Sequence, residues 1–217
     1  RESDTIRRYV HLATGNYNTK TAKLYSDISL FTANPQIAND ATLFFNLVTG
    51  YSTLQNMNCL SMAPVTIKSR LIAMINREIE RSNTENPGLI IAKMNTLTHE
   101  DVISAFDKAS QAGVKVLLNI RGICMLVPGL EGLSENIKVV SIVDRYLEHS
   151  RIFYFQNGGT PELYCSSADW MNRNLDRRIE LMFPILDKSA FEDVKSILDT
   201  YFVDNTTAME LQSNGSW

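Results

Sequence analysis

Two short constellations in this chain carry residue types that handle phosphate and protons, and they read as copies of one another. The first is Thr14-Gly15-Asn16-Tyr17-Asn18, running on to Tyr25 and Asp27. The second is Ser167-Ala168-Asp169-Trp170-Met171, running on to Arg178 and Glu180. In each, a small polar residue precedes Asn16 or Asp169, and a carboxylate follows at Asp27 or Glu180. Each copy then enters an apolar run, Ile28-Ser29-Leu30-Phe31 or Leu181-Met182-Phe183. Only the second has His149-Ser150-Arg151 upstream; the matching piece of the first would lie before residue 1. The chain thus reads as one and a half units of a duplicated site, cut at its start.

His149 and Arg151 stand two apart within a strand-like run, so both side chains are expected on one face. A histidine can serve phosphoryl chemistry as nucleophile or general acid. The arginine beside it offers a planar fork that matches phosphate oxygens. Asp169 or Glu180 is expected to orient the second ring nitrogen of His149 and fix its tautomer. Asn16 and Asp27 supply the corresponding groups across a pseudo-twofold cleft. Two such half-sites would set two histidines across one phosphate, the arrangement needed for in-line transfer through a phosphohistidine. His11, by contrast, reads as structural or supporting, and His99 as a surface residue at a helix start. Trp170 reads as a cleft wall or core residue. Arg173 and Arg177 read as solvated.

The elements that must position these groups alternate between strands and helices. A strand ends at His11-Leu12-Ala13 and the next covers 28–32. A helix is expected from Pro35 to Val48, with Ile37, Ala41, Leu43, Phe44 and Leu47 on one face, Pro35 in its first turn and Gly50 at its end. Periodicity then lapses through Tyr51–Cys59, which places a boundary near Cys59. Beyond it, Val65–Arg81 is strongly amphipathic, Leu89–Lys93 is a strand, Glu100–Gln111 a helix and Val114–Ile120 a strand. That unit predicts a parallel strand pair with a crossover helix. Ile137–Val143 is another strand. Asn157-Gly158-Gly159 turns a hairpin between 151–155 and 163–166 and is no phosphate loop, since no helix follows it. Glu180–Ile185 and a helix over Ala190–Phe202 close the pattern. The tail Asn205–Trp217 has no assigned structure, which leaves disorder open.

Composition is that of a globular chain able to bury a core: 217 residues, 44% hydrophobic and 21% charged. No apolar run nears the roughly 18 residues that span a bilayer. The three cysteines, Cys59, Cys124 and Cys165, form no CxxC pair and read as buried thiols of a reducing compartment. No residue reads as a metal ligand. A net charge of −3 argues against a general nucleic-acid binder. It leaves room for a local anion site, and Arg145, Arg151, Arg173, Arg177 and Arg178 cluster in one stretch.

At this point the sequence resembles the C-terminal part of polyphosphate kinase, of the class built on a duplicated phospholipase D-like fold. The matching segments begin with Tyr9-Val10-His11-Leu12-Ala13-Thr14-Gly15-Asn16-Tyr17-Asn18, Lys20-Thr21-Ala22-Lys23-Leu24-Tyr25-Ser26-Asp27 and Arg121-Gly122-Ile123-Cys124. They continue with Ser141-Ile142-Val143-Asp144-Arg145-Tyr146-Leu147-Glu148-His149-Ser150-Arg151 and Ser166-Ser167-Ala168-Asp169-Trp170-Met171-Asn172-Arg173-Asn174-Leu175-Asp176. The resemblance covers residues 9 to 187. It implies an α/β chain with a phospholipase D-like α/β/α sandwich and a mixed sheet. Residues 1–59 would be the end of a first catalytic domain, 60–204 a complete second one and 205–217 a tail.

The implied activity is reversible transfer of the terminal phosphate of ATP to inorganic polyphosphate through a phosphohistidine. Carried over by residue, Tyr25 would pack on the adenine, and Arg121, His149 and Arg178 would contact phosphates. His149 would be the second histidine, an acid or phosphate contact. The nucleophilic histidine and the residues contacting Mg2+ would lie upstream. The implied setting is a cytoplasmic homo-oligomer, with a peripheral seat at the inner membrane as the alternative. Two other readings stay open: a phospholipase D-like phosphodiesterase, which needs His-x-Lys in both halves, and a catalytically incomplete fragment that binds nucleotide or polyphosphate.

Overall fold

The computed structural model describes residues 6–53 and 55–217; positions 1–5 and 54 of the expected first domain lie outside the described residues. The chain opens with strand β1 (Val10–Ala13), the short β2 (Tyr25–Ser26) and β3 (Ser29–Thr32). Helix α1 (Pro35–Val48) follows with the bounds its pattern predicts. The Asn34 side chain accepts the N–H groups of Gln36 and Ile37, a cap that contributes about 1 kcal/mol. Gly50, at φ 75°, takes the left-handed turn that ends it. Then come β4 (Ser61–Ala63), α2 (Ile67–Arg81), β5 (Leu89–Met94), α3 (Glu100–Gln111), β6 (Lys115–Ile120) and β7 (Ile137–Ser141). The remainder is β8 (Leu147–Glu148), β9 (Ile152–Phe155), β10 (Glu162–Ser166), the short helix α4 (Asn172–Asp176), β11 (Glu180–Pro184), α5 (Lys188–Val203) and β12 (Met209–Glu210).

Eight strands form one mixed sheet in the order β12-β7-β6-β5-β9-β10-β11-β4. β5, β6 and β7 run parallel, as the crossover through α3 requires. β9 pairs antiparallel with β5 and with β10, so the expected hairpin lies at the sheet's centre. Alternation along the strands feeds two cores. Ile90, Ala92, Phe153 and Phe155 face one side and pack with Phe106, Leu71 and Ile75 of α2 and α3. Ile91, Ile152, Tyr154 and Cys165 face the other, against Val194 and Leu198 of α5 and Ile37 and Ala41 of α1. Helices therefore cover both faces of the sheet.

Two elements depart from the expectations. β4 occupies the edge of the sheet, pairing Met62 with Leu181, although it is only three residues long. The tail is ordered, not disordered: β12 pairs with β7, Met209 opposite Ser141, and Leu211 packs on the core. Backbone pairing at an open edge needs no apolar periodicity, which is why the tail's sequence did not announce it.

Candidate functional site

The two copies fold into the same hydrogen-bonded turn. In the first, the Thr14 hydroxyl donates to Asp27 Oδ1 at 2.8 Å and accepts the Ile28 N–H at 3.0 Å. In the second, the Ser167 hydroxyl donates to Glu180 Oε2 and accepts the Leu181 N–H at 3.1 Å. The backbone closes each turn alike, from Thr14 N–H to the Ile28 carbonyl and from Ser167 N–H to the Leu181 carbonyl. A hydroxyl thirteen residues before the carboxylate thus fixes it at the mouth of a strand, β3 or β11. Asn174 adds a second bond to Glu180 at 2.7 Å.

The two halves meet at His149. β2 and β8 pair in parallel, Ser26 opposite Glu148, and the N–H groups of His149 and Ser150 both donate to the Ser26 carbonyl. His149 sits in the connection between β8 and β9 and not on a strand; Arg151 nevertheless lies on its side of the chain, with Nη1 3.3 Å from His149 Nδ1. Nδ1 lies 3.0 Å from both oxygens of Asp27. A carboxylate only accepts, so this bond puts the ring proton on Nδ1 and leaves Nε2 as the reactive nitrogen. Arg151 Nη1 is then a charged neighbour and not a donor to the ring. The Tyr25 ring packs on the imidazole at 4.7 Å with a 40° tilt. Burial pushes the Asp27 carboxyl up. The bonds from His149 and Thr14 and the charges of His149 and Arg151 outweigh that and hold it below its ordinary value.

The carboxylate on His149 is therefore Asp27, of the other copy. Asp169 and Glu180, expected in that role, are engaged elsewhere. Asp169 takes a two-pronged bond from Arg151, Nε to Oδ1 at 3.2 Å and Nη2 to Oδ2 at 2.9 Å, and also the Asn95 N–H at 2.8 Å. Arg151 gives its remaining nitrogen to the Thr14 carbonyl at 2.9 Å. With Arg151 6% and Asp169 8% exposed, this guanidinium is a buried strut between the copies and not an open phosphate clamp. Burial would raise the Asp169 carboxyl, but the Arg151 bond and charge and the Asn95 N–H keep it low.

Arg121, at the end of β6, donates Nε and Nη2 to Asn95 Oδ1 and Nε also to the Glu148 carbonyl. Nη1 has no partner among the described residues. Arg178 is exposed, at the place in its copy that Tyr25 holds in the first. Asn16 is exposed and lines, with Tyr25 and Asp27, an open cleft of about 510 Å³. His11 is tied to the Tyr17 hydroxyl at 2.8 Å. His99 is not a surface residue: it is 4% exposed and its Nε2 meets Asp176, the last residue of α4, at 3.1 Å. Trp170 is wholly buried against Phe106 and Phe153. Among the described residues no group of three His, Cys, Asp or Glu side chains stands close enough to hold a metal ion, so these residues do not fit a resident metal site by themselves.

Lys93 escaped the sequence reading. Its Nζ, fully buried at the end of β5, donates to the Glu148 and Ser150 carbonyls at 2.7 Å each. A lysine inside the apolar run of a central strand was the signal that could have found it.

A mixed sheet between helical layers, with paired turns converging on one histidine cleft, is the phospholipase D-like fold. NucT from Helicobacter pylori shares it at a TM-score of 0.50 over 65% of this chain and 92% of its own, at 16% identity, a likeness of fold alone. The chain belongs to the polyphosphate kinase family: the model for polyphosphate kinase C-terminal domain 2 matches residues 60–217, and that for C-terminal domain 1 matches residues 1–54. It is 52% identical to a polyphosphate kinase of Rhodopirellula baltica over 217 residues, all of this chain and 26% of the relative. It is 50% identical to one of Pseudomonas aeruginosa, again over its whole length and 31% of the relative. The crystal structure of polyphosphate kinase from Porphyromonas gingivalis superposes at a TM-score of 0.91 and 40% identity, over 96% of this chain and 32% of that one. The chain thus spans about a quarter to a third of the length of these relatives.

Proposed function

We propose that this chain supplies one side of an ATP:polyphosphate phosphotransferase site, with His149 as its second histidine. The observation that carries the reading is the imidazole of His149, oriented by Asp27 across the junction of the two copies and packed on Tyr25. Family membership supports ATP and ADP as nucleotide substrates and inorganic polyphosphate as the acceptor. In this reading residues 1–59 end a first catalytic unit and residues from 60 onward form the second. The setting we infer is a cytoplasmic homo-oligomer. Among the described residues no helix is long and apolar enough to cross a membrane.

Glu180 is built into its turn as Asp27 is, yet no described histidine bonds it. We take its partner to be the phosphate-carrying histidine of the first unit, outside this chain. In the first step that nucleophile forms a P–N bond as the bond from the ATP terminal phosphorus to its bridging oxygen breaks, releasing ADP. In the second, a terminal polyphosphate oxygen attacks phosphorus, the P–N bond breaks and the polymer grows by one phosphate. In its imidazolium form His149 donates Nε2–H, and with the open Nη1 of Arg121 it stabilises charge on the transferring oxygens, where electrostatic positioning does most of the catalytic work. Mg2+, expected from the family, would add charge neutralisation when bound.

His149→Ala in the intact enzyme is expected to abolish polymer synthesis from ATP. Near-normal synthesis by that variant would overturn the reading.

A further inference from the structure

Three successive carbonyls bracket and include His149, and each is held by a side chain from the end of a central strand. Glu148 O takes Lys93 Nζ at 2.7 Å and Arg121 Nε at 3.2 Å. His149 O takes Asn95 Nδ2 at 3.4 Å, and Ser150 O takes Lys93 Nζ at 2.7 Å. From the opposite side the N–H groups of His149 and Ser150 are held by Ser26 O. Irregular backbone of this kind has no ladder of its own, so its position is set by whatever captures its polar groups. Among the described residues Lys93 is the one side chain that grips both neighbours of His149, and an ammonium with three donors is suited to that.

We propose that Lys93 is a positioning residue for the phosphoryl-transfer reaction: it fixes the backbone on either side of His149 and thereby the imidazole against Asp27. The inference rests on the reading of His149 as a site residue. A buried lysine is costly and is seldom placed in a core only to pack. An apolar side chain of the same length would fill the space. What it could not do is bond two carbonyls at once. The ammonium also lies 5.9 Å from the centre of the Tyr201 ring, whose hydroxyl bonds the Glu148 carboxylate at 2.7 Å, so α5 closes the far side of the grip. Misplacing a reacting group by about an ångström costs on the order of a hundredfold in rate.

The test compares four variants of the intact enzyme. Lys93→Met keeps an unbranched apolar stem that ends one atom short of the ammonium, and removes the donor. Ile91→Ala, on the same face of the same strand, is the control for lost core packing. His149→Ala reports on the site itself. Lys93→Met is expected to lower kcat by about ten- to a hundredfold with the KM for ATP within a factor of about three of wild type. Ile91→Ala is expected to lose thermal stability with kcat retained. Lys93→Gln, whose amide ends one bond short of the carbonyls, is expected to lose kcat likewise and serves if Lys93→Met does not fold. Wild-type kcat in a folded Lys93 variant, with His149→Ala inactive, overturns the positioning role alone. Equal loss of kcat in Ile91→Ala and Lys93→Met reduces Lys93 to a packing residue and also overturns it. An active His149→Ala would instead remove the reading on which the role rests.

Discussion

Asp27 and His149 stand 122 residues apart in the chain and 3.0 Å apart in space, each from a different copy of the repeated turn. Neither copy holds a complete pair. Asp27 is pinned by the Thr14 hydroxyl and His149 by Ser26 and the end of β5, so the distance between them is set by how the copies dock.

Replacing Asp27 by Asn would therefore present a donor as well as an acceptor to Nδ1 and free the ring to take the other tautomer. We expect kcat to fall by up to about four orders of magnitude, the loss seen when the carboxylate orienting a catalytic histidine is amidated. ATP binding measured by calorimetry should change little. A kcat within a factor of about three of wild type would show that the Asp27 contact does not govern His149.

Gly15 makes the same point through space alone. A Cβ built there would collide with the carboxylate of Asp27. Gly15→Ala should cost about 1–3 kcal/mol in stability, as overpacking does, and should depress turnover through the displaced carboxylate. Urea unfolding and a turnover assay on one preparation check both; full activity would mean that the loop yields and Asp27 does not.

The Arg151–Asp169 pair is expected to behave as a buried ion pair. Arg151→Met leaves Asp169 charged and without its fork, at a cost of about 3–5 kcal/mol in stability. The double variant Arg151→Met with Asp169→Leu should lose less than the two single losses added together. Because the Asp169 carboxyl lies below its ordinary value in the fold, its contribution is whole above pH 4 or so and fades as pH falls through the native value. Additive losses, or an acid limb unchanged in Asp169→Asn, would contradict the pairing.

Lys93 sets a slope on the alkaline side. Burial first, then the charges of Arg151 and Arg121, bring its ammonium down to about 7, against the partial offset of Glu148 and Asp169. Between that value and the roughly 10.4 of an unfolded lysine, the unfolded chain binds more protons, so stability attributable to this group rises with pH. Measured by urea at pH 6.5, 8 and 9.5, wild type should gain on Lys93→Met across the series. A constant gap would place the lysine's titration outside this window.

The sheet was legible because its central strands are long apolar runs and its helices carry clear stripes: α1 and α3 begin and end where capping and periodicity put them. The repeat, read from spacing alone, is one hydrogen-bonded turn built twice. What escaped was whatever depends on docking. β2 and β8 are two residues each and exist only because they find one another. The choice of Asp27 over Asp169 or Glu180 as the partner of His149 follows from that pairing, which no local pattern encodes. The Asp176 contact of His99 is illegible for the same reason: it comes from 77 residues on, in α4, a five-residue helix too short to show a period.

The β2–β8 junction also has a meaning in time. During synthesis at about 5–20 residues per second, Asp27 emerges about 6 to 24 seconds before His149. Throughout that interval its turn can close on Thr14 while the imidazole it orients has not been made. The Asp27–His149 pair is thus withheld from the nascent chain until the segment between β8 and β9 has been added and β2 has met β8.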